Sequence, residues 1–270
     1  MSNFIDRKEE FDLLKQKVKN FKRDVVKLFD EGLFTEYLNC ISYFYDYSPR
    51  NILLIQEQCP HATCVASIST WNKKGFRVKK GEKAIKILCP IKYVDSTGKE
   101  KLNFKFGNVF DISQVTPKNP AKSDLKEEVS FDLEMAFESL MLDRENLISI
   151  VDRRDLPDAY GDYNYVTGNI RLRRESIPIM FRTLLHEKRH AYSYGLRYDV
   201  NRSEIIAECS AYVASCKFGI QDDANSLVYV GSYCKDKNVD ELDTYLNEIV
   251  STSRKLIHWV LDTTCLSVVS

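Results

Sequence analysis

The 270-residue sequence predicts an α+β chain of two domains. Three observations carry that expectation. Apolar residues recur at helical spacing through the first third of the chain and again after Ser176. Between these stretches the pattern takes the period of strands around a turn. A polar tract, Thr116-Pro117-Lys118-Asn119-Pro120-Ala121-Lys122-Ser123, carries two prolines and no periodicity. The expected division is therefore a first domain over 1–115, a linker over 116–128 and a second domain over 129–270.

Each element has its own signal. Phe11, Leu14, Val18, Phe21, Val25 and Leu28 give a helix over 4–29, and an aromatic-rich helix follows from Phe34 to Tyr45. Ser48-Pro49 opens a third, with serine as N-cap and proline in the first turn. Cys64 to Ser69 alternates like a strand. Ala84–Tyr93 and Leu102–Phe110 read as a hairpin turned at Asp95-Ser96-Thr97-Gly98. In the second domain a helix is expected over Phe131–Leu142 and strands at Ile148–Val151 and within Tyr163–Arg173. Four helices follow: Ser176–Tyr194, Arg202–Phe218, Ala224–Tyr233 and Asp240–Leu261.

Composition limits the function classes. Hydrophobic residues make up 44% and charged residues 29%, the balance of a globular chain with a sizeable core. No apolar run approaches the ~18–20 residues of a membrane span. Met1–Glu10 lacks the apolar stretch of a signal peptide, so a cytoplasmic protein with reduced cysteines is expected. Cys59, His61 and Cys64 offer only three ligands, too few for a closed zinc site. The net charge is zero, yet residues 71–105 hold eleven basic and three acidic side chains, a local +8. A neutral chain with one basic segment suggests a polyanion partner for that segment.

The most informative motif is His186-Glu187-Lys188-Arg189-His190. On a helix, residues i and i+4 share a face, so both imidazoles can aim at one ion. Glu187 stands beside them, where a carboxylate can take a proton from a water acidified by Zn2+. Glu204 and Glu208 repeat the i, i+4 spacing on the next helix. One of them can complete the ligand set while the other orients a histidine, and the spacing alone does not order the two. Gly195 lies where the chain must turn between these helices. Lys188 and Arg189 are unusual between ligands and are expected to point away from the metal.

A second constellation lies in the basic segment. Trp71, Lys73, Lys74, Phe76, Arg77, Lys79, Lys80 and Lys83 mix cations with aromatic rings around Gly75 and Gly81. Single-stranded nucleic acid calls for this combination: cations for phosphates, rings for bases, glycines for close approach. A solvated lysine-rich hairpin is the plainer alternative.

The two constellations together resemble one family. Leu185-His186-Glu187 to His190, followed by Ser203-Glu204-Ile205-Ile206-Ala207-Glu208-Cys209-Ser210-Ala211-Tyr212, resembles the C-terminal metallopeptidase domain of ArdC-type antirestriction proteins. That domain is similar in turn to gluzincins. Tyr47-Ser48, Asn51 to Leu54, Thr70-Trp71-Asn72 and Val78 to Ala84 resemble the single-stranded-DNA-binding domain of the same proteins, and Asn103–Asp111 fits its closing strands. The resemblance implies Glu204 as third ligand and Glu208 as the residue behind the ligands. It implies a zincin-like, mostly helical second domain with a small sheet, acting on a protein substrate whose identity stays open. It further implies a substrate-binding strand before the active helix, for which Asn169–Arg173 is the candidate, with a solvated strand face as the plainer reading of its arginines. Tyr163 and Tyr165, just upstream, are placed to stabilise an oxyanion or to serve as core or surface aromatics. The implied role is protection of the DNA of a plasmid, conjugative element or phage from restriction. The alternatives are a DNA-binding accessory protein with a structural or vestigial zinc, and a zincin that cleaves a repressor.

Overall fold

The structure, a computed structural model, describes residues 33–119, 131–193, 199–220 and 237–264, with positions 12, 16, 20, 21, 27 and 28 ahead of them. The chain divides into two compact units, one of residues 47–130 and one of residues 1–46 with 131–269. The first fully described helix, α1 (Phe34–Phe44), belongs to the latter.

Residues 47–130 begin with α2 (Pro49–Gln58), where Ser48 Oγ accepts from Asn51 N at 3.4 Å as expected. Next come β1 (Val65–Ala66), α3 (Ile68–Lys73) and β2 (Phe76–Val78). A long hairpin of β3 (Ile85–Val94) and β4 (Glu100–Asp111) follows, then a 3-10 turn and β5 (Val115–Pro117). The hairpin pairs from Ile85 opposite Val109 out to Val94 opposite Glu100. Its outer edge near the root is closed by two side chains of α2. Asn51 accepts from Leu88 N at 2.7 Å and donates to Leu88 O at 3.0 Å, and Gln58 does the same for Lys86 at 2.9 Å in each direction. Two amides thus satisfy backbone groups that an edge strand leaves open.

Two expectations give way here. The strand read over Cys64–Ser69 stops at Ala66, because Ser67 caps α3 by accepting from Thr70 N at 3.1 Å. The linker read from 116 starts later. Thr116 and Pro117 belong to β5, which pairs with Arg77 and Phe76. The rest of that linker, 120–128, lies outside the described residues.

The unit of residues 1–46 and 131–269 contains α1, α4 (Leu133–Leu140), β6 (Ile148–Val151), β7 (Gly161–Tyr163), β8 (Ile170–Arg173), α5 (Ile177–Tyr192), α6 (Val200–Lys217) and α7 (Val239–Thr264). The expected boundary at 115 moves for α1 on packing grounds. Its Tyr37, Leu38 and Ile41 are fully buried. Tyr212 of α6 donates to Asn39 Oδ1 at 2.9 Å, and Arg254 of α7 donates to Tyr45 O at 2.9 Å. The described positions of the helix expected over 4–29 are helical, with Phe21 and Leu28 buried. The helix expected over 224–233 and the turn at Gly195 lie outside the described residues.

The small sheet has the order β6-β8-β7, with β6 parallel and β7 antiparallel to β8. This corrects the strand expected to pair with substrate. Ile170–Arg173 has a neighbour on each side, so its ladder is used, and Gly161–Tyr163 forms the edge that lines the cleft. α6 is buried nearly all round, with Ile205, Ile206, Ala207, Ser210 and Ala211 at essentially no exposure. Burying each isoleucine contributes roughly 1.5–3 kcal/mol, so the helix that carries Glu204 is held by the core. The class is α+β, as the sequence predicts. No described helix is long and apolar enough to cross a membrane.

Candidate metal centre

α5 starts at Ser176 with Pro178 in its first turn and presents His186 and His190 on one face. Their Nε2 atoms lie 3.1 Å apart. Glu204, in the second turn of α6, brings Oε2 to 3.3 Å from His186 Nε2 and Oε1 to 3.3 Å from His190 Nε2. Among the described residues these three form the one cluster with metal-ligand spacing. The separations match the edge of a tetrahedron around an ion bound at ~2.0–2.1 Å, about 3.3 Å. Two imidazoles and a carboxylate suit a divalent ion, and the residues fit one.

Glu208 stands on the far side of the His186 ring from Glu204. Glu208 Oε2 lies 3.2 Å from His186 Nδ1, and its other oxygen pairs with Arg182. Arg182 was not singled out from sequence, although its place four residues before His186 puts it on the same helix face. Burial opposes a charged His186, but hydrogen bonds to Glu204 and Glu208 outweigh it and raise His186 to about 9. Hydrogen bonds to the two histidines hold Glu204 well below the usual carboxylate range. Glu187 is buried, and desolvation lifts it to about 7, with Glu204 and Asp162 adding to the rise against His186.

Lys188 and Arg189 do point away from the ligands. Lys188 is fully buried, and its Nζ reaches Asp143 Oδ2 at 2.6 Å, Asn146 Oδ1 at 2.8 Å and Glu145 Oε2 at 3.0 Å. Arg189 Nη1 donates to Ser193 Oγ at 2.7 Å and to Ser203 Oγ at 3.0 Å. Ser203 precedes Glu204, so Arg189 ties α5 to α6 beside Glu204.

The cluster opens on a cleft of about 820 Å³. β7 forms one wall and meets α5 closely. A Cβ on Gly161 would lie 2.6 Å from Thr183 Cγ2 and 3.2 Å from Glu187 Cγ. Any larger residue there would push the edge strand off the helix. Tyr163 and Tyr165 line the cleft edge to face, 5.0 Å between centroids. Tyr165 Oη lies 3.3 Å from His190 Nδ1.

The residues expected to bind nucleic acid separate into two groups. Lys73, Arg77, Lys79, Lys80 and Lys83 are exposed, and Lys74 is half-buried. Trp71 is 2% exposed, donates Nε1–H to Phe110 O at 2.8 Å, and joins Phe76, Phe110 and Val115 in the core. Its expected base-stacking role gives way to packing, because pairing of β2 with β5 folds the segment back over both rings. The exposed rings among the described residues of this unit are Tyr93 and Phe104, on the β3–β4 hairpin. They sit among exposed Lys92, Lys99, Lys101 and Lys105.

Residues 11–130 match the family model described as the N-terminal domain of anti-restriction factor ArdC. An uncharacterized protein of Bacillus anthracis is 24% identical over 279 residues, a match covering 83% of this chain and 47% of that one. The chain thus spans about half the length of that relative. Two crystal structures of the antirestriction ArdC protein from plasmid R388 share the fold. The metal-free form superposes with a TM-score of 0.52 at 19% identity, covering 81% of this chain and 85% of that one. The Mn(II)-bound form gives 0.50 at 15% identity, covering 85% and 98%.

Proposed function

We propose, on the premise that this chain belongs to the ArdC-type antirestriction proteins, that residues 131–264 act as a zinc-dependent peptidase and residues 47–119 hold single-stranded DNA. The role is protection of a mobile element's DNA from restriction. The observation that carries the peptidase half is the cluster of His186, His190 and Glu204 with buried Glu187 beside it on an open cleft.

His186, His190 and Glu204 would hold the ion, and a nitrogen-rich set favours zinc, with manganese as the comparison. Zinc held there supplies Lewis acidity, which acidifies water and polarises a carbonyl. The remaining work falls to the chain. Glu187, lifted to about 7, is suited to accept a proton near neutrality and return it to the departing amine. Glu208 fixes the His186 ring, and Arg182 fixes Glu208. The open edge of β7 offers main-chain groups to an extended peptide. Metal content and peptide cleavage, measured on the native protein and on Glu187→Gln, test this half. Zinc in both with turnover only in the native protein is expected; antirestriction activity that survives Glu187→Gln would favour a non-catalytic role instead.

The basic balance over 71–105 and the exposed lysines support the DNA half. With Trp71 and Phe76 in the core, stacking falls to Tyr93 and Phe104 on the hairpin. A salt titration with an unstructured oligonucleotide separates the two contributions. Lys79→Glu with Lys80→Glu should weaken binding and flatten the salt slope. Tyr93→Ala with Phe104→Ala should weaken binding at an unchanged slope. A native protein without affinity at low salt ends this half.

A further inference from the structure

The lysine inside the metal motif has a path back to the ligands that does not run along its own helix. This inference rests on the metal-centre reading above. Lys188 uses three oxygens, those of Asp143 and Asn146 sheltered and that of Glu145 exposed, and its ammonium also lies 4.8 Å from the Trp259 ring centroid. Two carboxylates would satisfy its charge. The third partner, Asn146, is a neutral amide whose other end donates Nδ2–H to Gly168 O at 2.9 Å. Gly168 belongs to the turn between β7 and β8 and sits at φ +74, where a side chain is strained. Asn164 closes that turn: its Oδ1 accepts from Val166 N at 2.9 Å and Thr167 N at 3.0 Å, and its carbonyl accepts from Gly168 N at 2.8 Å. Val166 at the tip is 93% exposed, while Tyr165, 53% exposed, brings its hydroxyl to His190 Nδ1.

The chemistry of His190 says what this contact does. Its Nε2 faces His186 and Glu204, so Nδ1 is the nitrogen that carries the proton when Nε2 gives its lone pair to an ion. A ligating imidazole needs an acceptor for that proton to fix tautomer and ring plane. His186 has Glu208 for this purpose. His190 has the hydroxyl of Tyr165.

We propose that Lys188, Asn146 and the 164–169 turn form one positioning device that delivers Tyr165 to His190 and sets that ring for a divalent cation. Tyr165 is then a positioning residue, not a hydroxyl that meets the substrate. Lys188 links the back of the motif helix to one of the motif's own ligands.

The test uses the full chain, zinc affinity by competition with a chromophoric chelator, and the visible spectrum of the cobalt-substituted protein. Tyr165→Phe should weaken zinc roughly 10- to 100-fold and shift the cobalt bands. Asn146→Asp keeps an oxygen for Lys188 and removes the donor to Gly168 O, and should do the same without touching the centre. The double variant should bind no more weakly than the weaker single one, because both act through one contact. Native affinity and cobalt spectrum in Tyr165→Phe with turnover lost would assign the hydroxyl to the substrate and overturn the proposal. Additive losses in the double variant would overturn the link through Asn146. A native protein that takes up neither metal overturns the metal reading and this inference together, whereas metal uptake unchanged in all variants overturns this inference alone.

Discussion

Glu204 and Glu208, one helical turn apart on α6, address opposite nitrogens of one imidazole. Glu204 lies 3.3 Å from His186 Nε2 and Glu208 lies 3.2 Å from His186 Nδ1. Equal in type and spacing, they should differ on substitution. Glu204→Gln is expected to leave the protein without stoichiometric zinc after dialysis. Glu208→Gln should retain zinc with affinity lowered roughly 10- to 100-fold. Metal analysis and a chelator titration on the two variants distinguish the roles.

The same pair of carboxylates sets a pH dependence. They raise His186 to about 9, above its unfolded value, so below about 9 the ring holds a proton that a cation must displace. Zinc affinity should therefore fall as pH falls, by about tenfold per unit from this proton. Uptake at neutral pH should release on the order of one proton. Calorimetric titrations in buffers of different ionisation enthalpy would report that number.

Lys188→Met should be costly for a reason unrelated to zinc. It leaves Asp143, which is 8% exposed in its side chain, without the ammonium 2.6 Å away. Glu145 is largely exposed and adds little. Orphaning a buried charge costs about 3–5 kcal/mol. Urea unfolding of the zinc-free protein should show a loss of that order.

Asp111 makes the other unit acid-sensitive. Burial raises its carboxyl, but hydrogen bonds from Ser113, Cys64 and Thr63 outweigh that and hold it below the ordinary value. A folded value below the unfolded one means stability that is present above the unfolded value and lost as pH falls through the lowered one. Asp111→Asn should cost roughly 2 kcal/mol at neutral pH and flatten the acid limb of the stability profile. Thermal melts between neutral and acidic pH would show both effects.

Local signals in the sequence carried much of this molecule. The i, i+4 pairs placed His186, His190, Glu204 and Glu208, because a helix converts spacing into a shared face without tertiary help. Spacing alone does not order the two glutamates, and only the family resemblance implies an order. Features decided by distant partners stayed hidden. Trp71 looked like a stacking ring because nothing near it reveals that β5, some 45 positions on, covers it. Ile170–Arg173 looked like an edge because its second neighbour, β6, is parallel and arrives by a connection that leaves no local mark. The sequence turns Lys188 away from the metal but gives no sign of what receives it, because its partners lie 42 to 45 positions earlier in the chain.

The burial of Lys188 and Arg189 changes which positions of this centre should tolerate replacement. In the general form H-E-x-x-H the two middle letters are written as open. Here both are engaged, one by three oxygens and the other by Ser193 and Ser203. A saturation library scored only for soluble protein, with catalysis left out of the selection, should find these two letters among the least permissive of α5.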